Sequence, residues 1–269
     1  MALDQLSGKV AFITGAGSGL GAAFARRLAA DGAFVVVNDI NESADAVALE
    51  VNGASAVCDV TDSEALTAEI DHTVERRGRI DIMINNAGIA PPVDPARFEA
   101  AVANAMLRME GRIDEMQALG AISGLSDAEW DLMIRTHLYG TFFGTRAALR
   151  HMEAARSGLI VNISSVLGLL PAPGAAHYSA AKAAIIAFTK STALEVAHLG
   201  IRANAVCPGY VDTPLLASAD DRMMAGIKLN IGMGRLATAA ELAELVRFLC
   251  GPESSYSNGD VYPATGAYS

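Results

Sequence analysis

A chain of 269 residues with 52% hydrophobic residues can build one large α/β domain around a sizeable core. No apolar run approaches the roughly 18 residues that a membrane crossing needs. The net charge of −10, with acids spread along the chain and no Lys/Arg cluster, sets nucleic acid and anionic membranes aside as partners.

In chain order, β-rich apolar runs alternate with alanine-rich helical patterns. The first strand is expected at 10–14 (VAFIT) and is followed by a helix near 20–31. Strands at 34–39 and 54–60 come next, then a helix at 63–77 and a strand at 80–85. Further helical patterns cover 127–152, 178–198 and 239–250, with strands expected at 158–164, 201–209 and 259–265. Most of these strands are continuous apolar runs without alternation, as expected of strands covered on both faces. Strand, helix, strand repeated in this way predicts a single-domain, Rossmann-type doubly wound parallel sheet of about seven strands, with helices on both faces. No linker, low-complexity tract or repeat divides residues 1–269.

Residues 91–126 stand apart. Phe98, Val102, Met106, Met109, Ile113, Met116 and Leu119 follow at spacings of 4, 4, 3, 4, 3 and 3, which draws an apolar stripe on a helix. The stripe suits a helix facing the core or another subunit, or a flap over a substrate. The cysteines, Cys58, Cys207 and Cys250, are far apart, odd in number and outside any CxxC or Cys/His cluster. They support neither a disulfide framework nor a metal site, and read as buried thiols in a reducing, cytoplasmic compartment. The start of the chain carries an acid and a lysine ahead of a short apolar run, which argues against a signal peptide.

The stretch TGAGSGLG (14–21) links the first strand to the first helix. Gly15 permits a tight turn, Gly19 lets backbone approach a pyrophosphate, and Gly21 lets helix and strand pack closely. The N–H groups at the helix start, around Ser18, Gly19 and Leu20, attract phosphate oxygens. Asp39, 24 residues past Gly15 at the end of the second strand, can accept both hydroxyls of an adenosine ribose and would repel a 2′-phosphate. Neither Ser18 nor Ile40 supplies an arginine for that phosphate, so NAD is expected over NADP. CDV (58–60) and NNAG (85–88) end the third and fourth strands, placing Asp59, Val60, Asn86, Ala87 and Gly88 to line the adenine and ribose parts of the crevice. Asp59 could equally cap a helix, and Asn85 could pin neighbouring strands.

Tyr178 and Lys182, at i and i+4, share one helix face, and Ser165 lies 13 residues before the tyrosine. A phenol titrates near 10, so acid/base work near neutrality requires a drop of about three units, roughly 4 kcal/mol. An ammonium about 4 Å away at an effective dielectric of about 20 contributes about that much. Ser165 can hold a substrate oxygen while Tyr178 moves the proton. The chemistry this suits is proton transfer at an alcohol or carbonyl oxygen coupled to hydride transfer at the attached carbon.

With TGAGSGLG, NNAG, IVNISS, YSAAK and CPGYVDTP in this order and spacing, the chain resembles the classical short-chain dehydrogenase/reductase family from residue 8 to about 265. The resemblance implies Ser165, Tyr178 and Lys182 as the catalytic trio, with Lys182 also binding the nicotinamide ribose. It implies that Val211 and Thr213, after the Pro208–Gly209 turn, hold the carboxamide. It also implies a homotetramer built through the helices at 127–152 and 178–198 and the C-terminal strand. One position departs: HLYGTF puts His137 where the family pattern has an asparagine that kinks the helix and holds a water leading from the lysine. A neutral imidazole could bind the same water and relay protons; a tolerated polar helix residue is the alternative.

The 91–126 stretch is longer than most relatives need and reads as a helical insertion beside the pocket. Residues 212–235, rich in methionine and glycine, read as a moving lid with an adaptable apolar wall. Together they predict a hydrophobic secondary alcohol or ketone as substrate, with no basic residue standing out as the partner of a carboxylate or a CoA phosphate. The expected activity is that of an NAD(H)-dependent alcohol dehydrogenase or ketoreductase, the alternative being a non-catalytic NAD-binding regulator.

Overall fold

The structure is a computed structural model that describes residues 5–91, 94–216 and 221–268. Nine strands and nine α-helices are defined among these residues, in the order β1 (Val10–Ile13), α1 (Gly19–Ala30), β2 (Phe34–Asp39), α2 (Ser43–Glu50), β3 (Ala54–Val57), α3 (Ser63–Arg77), β4 (Ile82–Asn85), α4 (Pro95–Met109) and α5 (Asp127–Ile134). There follow α6 (Gly140–Ala155), β5 (Gly158–Ile163), α7 (Ala176–Val196), β6 (Ile201–Pro208), β7 (Val211–Asp212), α8 (Asp221–Leu229), β8 (Ala237–Thr238), α9 (Ala239–Cys250) and β9 (Val261–Ala264). Seven strands form one parallel sheet in the order β3-β2-β1-β4-β5-β6-β9, and β7 pairs with β8 separately.

The continuous apolar runs have the expected cause. On β1, Ala11 and Ile13 join the core shared with Phe24 and Leu28 of α1 and with Leu242 and Val246 of α9. Phe12, between them, joins Leu66 and Ile70 of α3 and Ala147 and Met152 of α6 on the other face. Alternation persists along the backbone, but both faces are buried, so the sequence shows no polar partner for it. Helix ends are marked locally. Ser126 with Glu129, and Thr238 with Glu241, form capping boxes at α5 and α9, and α3 starts on the Asp62 carboxylate and stops at Gly78 with φ 75°.

Three expectations are corrected. The strand expected over 54–60 ends at Val57, because residues 59–62 close a turn in which Asp62 N–H donates to the Asp59 carbonyl. The helix expected over 127–152 is interrupted by a π turn at Arg135–Tyr139, with His137 at its centre. The apolar stripe at 98–119 does not lie on one helix. α4 stops at Met109, Gly111 follows at φ 75°, and the chain returns so that Asn104 holds the backbone of Gln117 through two hydrogen bonds of 2.7 and 2.8 Å. Met106, Met109 and Ile113 are exposed, whereas Phe98, Val102, Met116 and Leu119 are half-buried. The short helix α2 carries too few turns for its periodicity to register in the sequence.

Candidate active site

The carboxyl ends of β1, β2, β4, β5 and β6 open into a crevice of about 920 Å³. Gly15 and Gly19 of the loop after β1 have φ of 61° and 54°, a region that side chains with a Cβ rarely adopt. A Cβ at Gly17 would lie 2.0 Å from Ser43 Oγ and 2.8 Å from Asp39 Oδ2, so only glycine lets the loop pack this closely against the end of β2 and the start of α2. Ser18, the N-cap of α1, makes no side-chain capping bond, which leaves the first-turn amides of that helix without a side-chain acceptor. Asp39 closes this corner: Oδ2 accepts from Gly17 N–H at 3.0 Å and Oδ1 from Ile40 N–H at 2.8 Å. A helix start without a side-chain cap, a glycine-rich loop and a carboxylate at the end of β2 fit a dinucleotide pyrophosphate and its adenosine ribose.

The middle of the crevice is built from β4 and its neighbours. Asn85 is a pin, donating to Thr145 Oγ1 at 3.0 Å and to Asn162 Oδ1 at 2.8 Å. Asn86 commits its amide hydrogens to the carbonyls of Thr14 and Gly15, at 3.0 and 2.9 Å, and so shapes the glycine loop from behind. Asp59 holds its own turn by accepting from Thr61 N–H at 2.8 Å. Gly21 is the one sequence-singled residue away from the crevice wall. A Cβ there would come within 2.3 Å of the Gly15 carbonyl oxygen and 2.6 Å of Asn86 Nδ2. On the opposite side Pro208, Gly209, Val211 and Thr213 follow β6 along the wall. Gly209 is forced by backbone packing, since a Cβ would sit 2.9 Å from Thr265 Cα.

Ser165, just past the end of β5, accepts from Leu167 N–H at 3.1 Å and shares the crevice wall with Tyr178. The adjacent Ser164 faces elsewhere and donates to the Lys182 carbonyl at 2.7 Å, so the two serines divide between site and scaffold. Lys182 is buried, with Nζ 5.6 Å from the Tyr178 ring centroid and donating to the Ile163 carbonyl at 2.8 Å. Burial brings its pKa down to about 7. The expectation that Lys182 lowers the phenol is corrected here. Burial raises the Tyr178 pKa, and the nearby Ser165 hydroxyl opposes it only in part, because a buried phenolate has lost more hydration than this set of groups returns.

His137 packs edge-on against Tyr178, with ring centroids 5.2 Å apart. Its Nε2 lies 2.9 Å from the carbonyl oxygen and 3.2 Å from the amide nitrogen of Ile89, and Nδ1 is buried without a partner among the described residues. Burial, and next the charge of Lys182, hold its pKa well below the usual histidine range, so the ring is neutral.

Sequence reasoning missed several wall residues. Tyr210 packs against Tyr268 with tilted rings 5.3 Å apart, and burial raises its pKa; its place in CPGYVDTP was the available signal. Arg97 and Arg135 also line the crevice, which corrects the expectation that no base stands near the substrate end. Neither lies in a motif, and nothing in their spacing marks them. Among the described residues no helix is long and apolar enough to cross a membrane, and no cluster of three or more His, Cys, Asp or Glu side chains could hold a metal ion.

Comparisons with known proteins bear on this geometry. The family profile described as short chain dehydrogenase matches residues 9–223. The cis-4-hydroxycyclohexanecarboxylate dehydrogenase of Sinomonas cyclohexanicum is 38% identical over 270 residues, 98% of each chain. The 3-oxoacyl-[acyl-carrier-protein] reductase FabG of Thermotoga maritima is 34% identical over 97% of this chain and 98% of its own. The crystal structure of a 3-oxoacyl-[acyl-carrier protein] reductase from Brucella melitensis superposes with a TM-score of 0.83 at 31% identity, covering 99% of this chain and 94% of that one.

Proposed function

The chain belongs to the short-chain dehydrogenase family, oxidoreductases that bind a nicotinamide cofactor, and from that premise we propose that it interconverts a hydrophobic secondary alcohol and its ketone with NAD(H). The reading rests on one observation above all. Two hydroxyls, of Ser165 and Tyr178, stand beside a buried lysine on the wall of the crevice that carries the glycine loop, with Lys182 Nζ 5.6 Å from the Tyr178 ring centroid. The dinucleotide, when bound, supplies the hydride exchange. Ser165 orients the substrate oxygen, and Tyr178 gives that oxygen its proton during reduction and takes it during oxidation. Lys182, fixed by the Ile163 carbonyl, stands beside the phenol and binds the nicotinamide ribose. Val211 and Thr213 face the carboxamide, and His137 sets the ring plane of Tyr178 through its edge-on contact.

Asp39 carries the preference for NAD over NADP. Its carboxylate stands at the ribose corner, and no cation is recorded on it among the described residues. The segment at 91–126 and the 212–235 segment flank the substrate end, the second acting as a lid; residues 92–93 and 217–220 lie outside the described residues. A cyclic secondary alcohol is favoured, in keeping with the name of the Sinomonas relative. A homotetramer through α6 and α7 is part of the reading, since Phe142 and Leu194 present apolar surface there. The decisive assay follows NADH fluorescence against a panel of cyclic and aryl-alkyl ketones. Tyr178→Phe is expected to lose turnover by about 10³-fold while NADH binding is kept. Binding of NADH by the native protein with no turnover of any ketone or alcohol would instead favour a non-catalytic regulator.

A further inference from the structure

On the β4 to β6 side, the crevice wall is apolar through Phe98 and Ala101 of α4, Leu119, and Met223 and Ile227 of α8. The two helices meet there. A Cβ built on Gly226 would lie 3.9 Å from Phe98 Cζ, and Arg222 pairs with Glu99 at 3.5 Å. One cation stands on the α4 part of this wall, Arg97. Asp94 orients it. Asp94 Oδ1 accepts from the amides of Ala96 and Arg97 at 3.0 and 3.3 Å as the N-cap of α4, while Oδ2 lies 3.2 Å from Arg97 Nε. Asp94 is the one carboxylate ion-paired with this guanidinium among the described residues. The other carboxylate within its field, Glu129, is committed to the α5 capping box with Ser126. The guanidinium, with Nε beside the Asp94 carboxylate and Nη2 3.5 Å from where a Cβ on Gly124 would sit, lines the margin of this apolar cavity. A guanidinium so placed carries the planar fork that takes a carboxylate in two parallel hydrogen bonds. The glycine loop and Asp39 follow β1 and β2 instead, so this fork belongs to the substrate half of the crevice.

We infer that Arg97 receives a carboxylate carried by the substrate, which makes the substrate class hydroxy acids and keto acids with an apolar body between the two polar ends. This rests on the alcohol/ketone reading for the reacting end, and its test is kept separate from turnover. Cyclohexanecarboxylate and cyclohexanecarboxamide, which carry no alcohol or ketone, are titrated by calorimetry into the full-length protein with saturating NADH. The native protein is expected to bind the acid about tenfold more tightly than the amide, the low end for charge-assisted pairs because Arg97 is partly exposed. Arg97→Gln brings the ratio to about one, and Arg97→Lys keeps part of it as a point charge without the fork. Equal or undetectable binding of the two ligands by the native protein overturns the assignment. So does a preference that survives Arg97→Gln, or one lost in Arg135→Gln but kept in Arg97→Gln. A failure of the alcohol/ketone reading shows only in the Tyr178→Phe turnover assay, and the two results are therefore separable.

Discussion

Lys182 is buried with a single backbone carbonyl as its recorded hydrogen-bond acceptor, and its pKa falls from 10.5 to about 7. The sign of the linkage follows directly. The folded state prefers the neutral amine, while the unfolded chain keeps a proton up to about 10.4. Stability from this group is thus complete only above the unfolded value and is lost as pH falls through about 7. Integrating proton uptake between pH 7 and pH 9 with these two values gives about 2 kcal/mol. Replacing Lys182 with Met removes the titration and keeps much of the side-chain volume. The assay is urea unfolding of the native protein and Lys182→Met, both free of dinucleotide, at pH 7 and pH 9 and one fixed protein concentration. Titrations independent of Lys182, including the burial-raised thiols of Cys58 and Cys250, cancel in the difference. The native protein should gain about 2 kcal/mol relative to the variant on going to pH 9. A difference that does not change with pH would mean that the buried ammonium stays charged, and the desolvation argument would be wrong.

Two further outcomes are expected. Because burial raises the Tyr178 phenol, alcohol oxidation, which needs it deprotonated, should climb with pH without levelling off across the range from about pH 7 to 10, by about tenfold per unit at its steepest. Ketone reduction should show no such rise, and an oxidation profile flat from pH 7 to 10 would contradict the raised phenol. Asp39→Ala removes the acceptor at the ribose corner and the partner of Gly17 N–H. NADH affinity should drop by about tenfold or more, with the gap to NADPH narrowing; fluorescence titration of both cofactors measures this, and a native protein that prefers NADPH refutes the Asp39 argument.

The sheet and its order of elements were legible because strands buried on both faces leave long apolar runs, as in VAFI and GLIVNI, which nothing else in a chain of this composition explains. The candidate site was legible for a related reason. Backbone demands near the glycine loop and a hydroxyl–phenol–ammonium set at helical spacing can be met by few residue types, and all the residues so chosen except Gly21 reach one crevice wall. Local periodicity misled at 98–119, where Gly111 and the Asn104–Gln117 bonds fold the stripe back on itself. The charges of the site lay beyond local pattern altogether. Spacing places Lys182 beside Tyr178, but the depth to which packing sinks both rings and amine decides that the amine weakens and the phenol strengthens its hold on a proton. Spacing likewise does not reveal that Arg97, one arginine among several on the 91–126 stretch, faces the crevice. Desolvation and facing are set by what the rest of the chain places against a residue, and that exists only once the chain has folded.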